Sequence, residues 1–354
     1  MFTKVYMLYL LFLTELFAII LMYNFIMIEL LSDSSWIKPQ IDLLLWLQNI
    51  RSFCPDIVNK FFLSATVIGE IWVPTVICGI LYWCVNAKNG TYMFLLFGFH
   101  YIFSQLLKMI ACVYRPWILD ERVQPLKEAI TYSKGYSFPS GHSSMAASNL
   151  GGLAFIFRKN IPLCIFLFLV ILLVGFSRMW VGVHTLQDVV GGFLIGFVII
   201  FVGNAIINWA EQNKNRYIYL LVIINVLMIA ILVYMIYFCK FPMDYVNGEL
   251  LVNPKGAIHA SVVCYGYSMG LMNGAFLCRR FFPFEPENYS VRSRFIIGTI
   301  GGILTYLILN FALEYCFASD FSHRYTLLIT MLIGLFITAI YPLIFSNIKF
   351  LKIY

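Results

Sequence analysis

Three short segments place ionisable residues at the ends of apolar stretches, where such groups are costly and usually functional. Lys108 and Arg115 are seven residues apart. In a helix that spacing puts both on one face, two turns from each other, and Pro116 then ends the helix. Two cations on one face make an anion site, and an arginine grips phosphate oxygens in bidentate fashion. The plainer alternative is that both snorkel to the membrane surface. The second segment runs Pro139, Ser140, Gly141, His142. Ser140 suits a helix N-cap and Gly141 lets backbone approach a ligand closely. Free N–H groups and the positive dipole end at such a site suit phosphate, with His142 beside them as a candidate general acid or, more simply, a capping histidine. The third segment carries Ser177, Arg178, His184 and Asp188. His184 and Asp188 are one helical turn apart. A carboxylate on one imidazole nitrogen fixes the tautomer and frees the other nitrogen to attack, although an ordinary polar pair would show the same spacing.

The elements that must position these groups cross a membrane. Of 354 residues, 61% are hydrophobic and 12% charged, with a mean hydropathy of +0.85. A soluble domain of this length could not hide so much apolar surface. The apolar runs predict an all-α, polytopic membrane helix bundle of about ten spans, at residues 7–31, 62–85, 92–114, 142–157, 161–180, 186–209, 217–239, 256–278, 295–317 and 325–346. The first run is too long for a signal peptide and no small-residue cleavage site follows it. Residues 36–53 mix apolar residues with Lys38, Asp42 and Arg51, which predicts an interfacial amphipathic helix. Ten spans put both termini on one side. The short loops of that side hold Lys88, Arg158, Lys159, Lys214, Arg216, Arg279 and Arg280, so the positive-inside bias makes the termini cytoplasmic. The three polar segments then meet at one level on the non-cytoplasmic face. Together they supply three cations, backbone amides, a nucleophile with its orienting carboxylate, and an acid.

Lys-x6-Arg-Pro, Pro-Ser-Gly-His and Ser-Arg-x5-His-x3-Asp, at Lys108–Pro116, Pro139–His142 and Ser177–Asp188, resemble the three-part signature of the type 2 phosphatidic acid phosphatase superfamily. The resemblance implies a six-helix phosphatase core over residues 1–210, including the interfacial helix, followed by four additional transmembrane helices over 211–354. It implies metal-independent hydrolysis of a phosphate monoester, with no cofactor. His184 would form a phosphohistidine, Asp188 would orient it, and His142 would protonate the leaving alkoxide and then activate water. Lys108, Arg115, Arg178, Ser140 and the Gly141 amide would hold the phosphoryl oxygens. The whole chain is most similar to the sphingoid-base-phosphate phosphatases, through the long link after the first span, the stretch from Arg178 to His184 and the four extra helices. It departs from that subgroup at Gly141, where a threonine is usual.

The partners implied are the lipid bilayer and a lipid phosphate; nothing points to nucleic acid, and no oligomeric state is indicated. No cluster outside the three segments has metal-ligand spacing, and the nine cysteines form no CxxC pair. Intramembrane charges in a ten-helix chain would also suit a transporter, but transporter sites lie near the midplane between repeats, and no repeat is visible. A phosphotransferase using an alcohol in place of water would need the same residues. A vanadate-dependent haloperoxidase shares the phosphate pocket but resembles a soluble helical protein. Glu70, Glu314, His100 and His259 also fall in or near apolar runs, where a satisfied interhelical hydrogen bond is at least as apt as a function. Gly298, Gly301 and Gly302 suit close helix packing.

Overall fold

The computed structural model describes residues 34–131, 133, 135–246, 248–319 and 321–346. The expected span at 7–31 lies outside them. The described chain is helical apart from a two-residue hairpin, Tyr245–Val246 against Glu249–Leu250. Its main helices are α1 (Ser34–Phe53), α2 (Asp56–Thr66), α3 (Trp72–Ile80), α4 (Ala87–Ala111), α5 (Gly141–Ile156) and α6 (Ile161–Trp180). They continue as α7 (Leu186–Glu211), α8 (Arg216–Tyr237), α9 (Pro254–Phe281), α10 (Val291–Ile308) and α11 (His323–Leu335). The expected interfacial helix is α1. Ile37, Ile41, Leu44 and Leu47 form its buried stripe, and Trp36 and Trp46 stay exposed.

Ten spans are not confirmed. Among the described residues six helices are long and apolar enough to cross a membrane, or seven if the pair Asp56–Gly69 and Trp72–Val85, bent by 53°, is one span. Two expected spans form helices but miss that measure of length and apolarity, for different reasons. α5 has 16 residues, about 24 Å of helix against a hydrocarbon layer of roughly 30 Å. α9 has 28 residues, but glycine, serine, tyrosine and asparagine dilute its hydropathy. It needs no apolar exterior, because helices α4, α8 and α11 pack around it and most of its length is buried.

Small residues set that packing. Gly266, Gly270 and Gly274 of α9 face Thr330, Gly334 and Thr338 of α11 or its continuation, at matching four-residue spacing. A Cβ on Gly270 would run into the carbonyl oxygen of Met331 and lie 2.9 Å from Gly334 Cα. The sequence drew attention instead to α10, where the structure does place Gly298 and Gly301 against Cys84 and Trp83. Gly302 is less crowded, with only Val76 Cγ1 nearby, at 3.8 Å. On the bundle end away from the three polar segments, Arg279 bridges Glu211 and Glu285 at 2.8 Å each, tying the end of α7 to the end of α9.

Backbone cannot retreat as a side chain can, so Gly270→Val is expected to destabilise the bundle by about 1–3 kcal/mol or more. Gly302→Ala should cost little. Thermal unfolding of the two detergent-solubilised variants would check this, and equal melting temperatures would contradict the α9–α11 seam.

Candidate active site

The chain reaches the first cation by ending α4 early. Cys112 takes a left-handed conformation (φ 47°), its N–H bonds the Lys108 carbonyl, and α4 stops at Ala111. Arg115 is therefore in extended backbone, and Pro116 opens a short new turn, Pro116–Leu119. This corrects the expectation that Lys108 and Arg115 share one helix face with Pro116 as the stop. The break lets the two cations approach from different directions. The Lys108 ammonium donates to the Tyr136 carbonyl at 3.3 Å. The Arg115 guanidinium donates to the carbonyls of Gly135 at 3.2 Å and Val183 at 3.0 Å.

Ser140 is the N-cap of α5, as its residue type predicts, accepting from Ser143 N–H at 3.4 Å. Gly141 and His142 are then the first two helical residues, and a helix leaves such N–H groups without an internal partner. A Cβ on Gly141 would lie 4.0 Å from Lys108 Cε, so the lysine side chain passes beside the first residue of α5. His142 is half-buried, and Gly69, just before the bend in Asp56–Val85, packs against it so closely that a Cβ there would lie 2.8 Å from His142 Cβ.

Arg178 lies in the last turn of α6, buried, with its guanidinium donating to Ser133 Oγ at 3.1 Å. Gly182 then turns the chain at φ 81°, a conformation a side chain would strain, while a Cβ would also press on Pro125 at 3.1 Å. His184 follows, two residues before α7 begins, so it sits on the turn rather than within the helix. Gly192 lets α7 lie directly on α5, because a Cβ there would be 2.7 Å from the Ser140 carbonyl. The backbone bond from Ser140 N–H to the Asp188 carbonyl, 2.9 Å, joins the second segment to the third.

His184 is at the centre. Its Nε2 faces Arg115 Nη1 at 2.9 Å, and its Nδ1 faces Asp188 Oδ2 at 3.3 Å. Arginine can only donate, so Nε2 carries the lone pair and Nδ1 the proton. Burial first, then the charges of Arg115, Lys108 and Arg178, push the imidazole well below its usual pKa range, which keeps it neutral. Asp188 Oδ2 also accepts from Ser137 Oγ at 2.6 Å and from Thr185 N–H at 2.8 Å. All eight residues singled out in the sequence thus meet at one end of the bundle, with three cations against Asp188 and, near Arg178, Glu70.

Ser137 and Thr185 were not among them. Thr185 was legible, since Thr-x-x-Asp before an apolar run is a capping-box pattern. Ser137 carries no spacing signal, and only the folded loop brings it to Asp188. Outside the cluster, His100 bonds Ser144 Oγ at 2.9 Å, His259 bonds the Cys316 carbonyl at 2.8 Å, and Glu70 accepts from Trp72 at 3.2 Å. No metal-competent group of histidine, cysteine or carboxylate residues occurs among the described residues.

Comparison with known proteins matches residues 89–214 to the PAP2 superfamily and residues 262–352 to the family described as PAP2 superfamily phosphatase, transmembrane extension. Phosphatidylglycerophosphatase B of Bacillus subtilis (strain 168) is 34% identical over 121 residues, which is 32% of this chain and 55% of that protein. The chain therefore spans about half the length of this relative. Among solved structures, the first transmembrane PAP2 type phosphatidylglycerolphosphate phosphatase from Bacillus subtilis aligns with a TM-score of 0.42 and 24% identity, over 55% of this chain and 94% of that one. The sphingoid-base-phosphate subgroup does not emerge from these matches. Within an integral, multi-pass membrane protein, residues 89–214 are a PAP2-superfamily region, and residues 262–352 are its transmembrane extension.

Proposed function

We propose that this protein is a membrane lipid phosphate phosphatase that hydrolyses a phosphate monoester through a phosphohistidine on His184, without a metal. One observation carries the reading. A buried, neutral imidazole has one nitrogen held by a carboxylate and the other directed at a guanidinium. The guanidinium that would bind a phosphoryl oxygen is already beside the atom that would attack phosphorus.

In the first half-reaction, the Nε2 lone pair of His184 attacks phosphorus and the bond to the leaving oxygen breaks. His142 gives that oxygen its proton, and the Nδ1 proton of His184 stays on the Asp188 side. Lys108, Arg115, Arg178 and the amide end of α5 hold the three equatorial oxygens, where transition-state charge gathers. Their excess positive charge suits a dianion, and the incoming dianion in turn favours a protonated His142. In the second half-reaction, His142 takes a proton from water. The hydroxide oxygen bonds to phosphorus, the Nε2–P bond breaks, and inorganic phosphate leaves.

The site lies at the end of membrane-crossing helices, so a lipid headgroup is the natural substrate. The resemblance to sphingoid-base-phosphate phosphatases and the phosphatidylglycerophosphatase relative name two headgroup classes for it. The Lys and Arg bias of the loops supports a non-cytoplasmic site with cytoplasmic termini. Residues 1–210 would form the catalytic core and 211–354 the added helices.

Purified protein in EDTA should release phosphate from one or more of a panel of sphingoid-base phosphate, phosphatidate and phosphatidylglycerol phosphate. A glucose 6-phosphate rate above every lipid rate would refute the lipid assignment. Release only when glycerol is added, with phosphoglycerol as product, would make the enzyme a phosphotransferase. His184→Ala is expected to lower the rate on the order of 10⁴-fold. Loss of activity in EDTA that zinc or magnesium restores would overturn the metal-free mechanism.

The two histidines separate by leaving group. His142→Ala should cost roughly 10²–10⁴-fold on a lipid alkoxide and much less in the first step on p-nitrophenyl phosphate, whose leaving group needs no proton. A base-stable, acid-labile phosphoprotein should then accumulate in His142→Ala and be absent in His184→Ala. Its absence from both would argue against a covalent intermediate. Arg115→Ala should lower kcat/KM by about 10²–10³-fold, measured on the best lipid of the panel.

A further inference from the structure

The turn 181–185 that presents His184 runs between two helix ends, and helix ends carry unsatisfied backbone groups. The last carbonyl of α6 belongs to Trp180, and Arg51 Nη1 donates to it at 2.9 Å. Near the start of α7, the Gln187 N–H donates to Gln40 Oε1 at 2.8 Å. Both capping side chains come from α1. They are eleven residues apart, three helical turns, so they share a face. A cation at the C-terminal end of α6 and an acceptor at the N-terminal end of α7 each oppose the local dipole.

The contacts are specific. Gln40 Nε2 also reaches Gln187 Oε1 at 3.2 Å, and Trp36 Nε1 donates to the same oxygen at 2.7 Å. Arg51 Nη2 bonds the Gln124 carbonyl, while the Leu126 N–H bonds the Val181 carbonyl at 3.0 Å. Beneath these bonds Ile37, Ile41, Leu44 and Leu47 share a buried cluster with Trp180, Val181 and Val183. Gln40 and Arg51 are themselves buried. Neither lies in the three segments that carry the chemistry.

We infer that α1 is a brace for the nucleophile, with Gln40 and Arg51 as positioning residues that hold both ends of the His184 turn. The inference rests on the proposed phosphohistidine reaction. Gln40 adjoins Asp188 through Gln187, and Arg51 adjoins Arg178 through Trp180. Releasing either end lets the imidazole drift against Asp188 and the bound phosphoryl group, and a misplacement of about 1 Å can cost on the order of 10²-fold in rate. Lys108 keeps the Tyr136 carbonyl, Arg115 the Gly135 carbonyl and Arg178 the Ser133 hydroxyl, none of them on the turn, so substrate affinity should change little.

The test compares Gln40→Met, Arg51→Met and Arg51→Lys with Gln48→Met in full-length protein in lipid nanodiscs. Gln48 lies on the same helix and makes two bonds to the loop at 122–124, the Arg122 carbonyl at 3.1 Å and the Gln124 N–H at 2.7 Å, but none to a helix end beside His184. The expected result is a kcat about 10- to 100-fold lower for Gln40→Met and Arg51→Met, with KM within about threefold. The phosphoenzyme should form more slowly in both, Arg51→Lys should recover part of the rate, and Gln48→Met should stay within about threefold of the parent. A similar fall in Gln48→Met would mean that α1 matters only for stability and would overturn the inference. So would unchanged kcat in the two methionine variants, or a loss that tracks their melting temperatures. An inactive parent protein would instead count against the phosphatase reading itself.

Discussion

A single buried carboxylate oxygen, Asp188 Oδ2, gathers donors from three parts of the chain: Ser137 Oγ, the Thr185 N–H and His184 Nδ1. The rest of the site is arranged around that convergence. The bond to Thr185 closes the first turn of α7, so the helix start cannot fray without disturbing the histidine. The bond to Ser137 anchors the loop that becomes the N-cap of α5 three residues later. The Asp188 main-chain carbonyl then accepts the Ser140 N–H. One residue thus sets the histidine tautomer and holds the N-terminal end of α5 against α7.

Membrane burial makes such economy necessary. An unsatisfied backbone group in a low-dielectric setting costs as much as a lost hydrogen bond. Four helices, α4 to α7, end or begin around the site. Their loose ends are met by Ser140, by Arg51 and Gln40 from α1, and by the left-handed turn at Cys112. At the opposite end of the bundle, the junction between α7 and α9 is closed by charge pairing of Arg279 with Glu211 and Glu285.

The site was more legible in the sequence than the fold around it. Ser140 before an apolar run, His184 one turn from Asp188, and cations at span ends are local patterns, and topology placed them at one level. What failed was non-local. Hydropathy reports exposure to lipid, so α8 reads clearly, whereas α9, covered by protein over most of its length, gives only a diluted signal. The alternation of Gly266, Gly270 and Gly274 has meaning only beside Thr330, Gly334 and Thr338, which lie some sixty residues on. The left-handed Cys112 gives no warning, because a cysteine rarely takes that conformation. It moved Arg115 off the helix yet left it in the site. Ser137 and the pair Gln40 and Arg51 join the histidine turn only through tertiary contact.

The way the cations are held separates those proposed to bind phosphate from those that hold the protein together. Arg279 is matched by carboxylates, so its charge is spent inside the structure. Arg115 and Lys108 are held mainly by main-chain carbonyls, those of Gly135, Val183 and Tyr136. Arg178 is met by the Ser133 hydroxyl. Carbonyl and hydroxyl dipoles fix the direction of an N–H without cancelling the charge behind it. The pocket therefore keeps its cations oriented, poorly hydrated and only partly compensated, by Asp188 and, at Arg178, by Glu70. Such an arrangement is unfavourable while empty and most favourable when two or more negative charges arrive together. In the proposed reaction the same feature that costs the folded protein stability would select a phosphoryl dianion, and it would act most strongly when charge builds on the equatorial oxygens in the transition state.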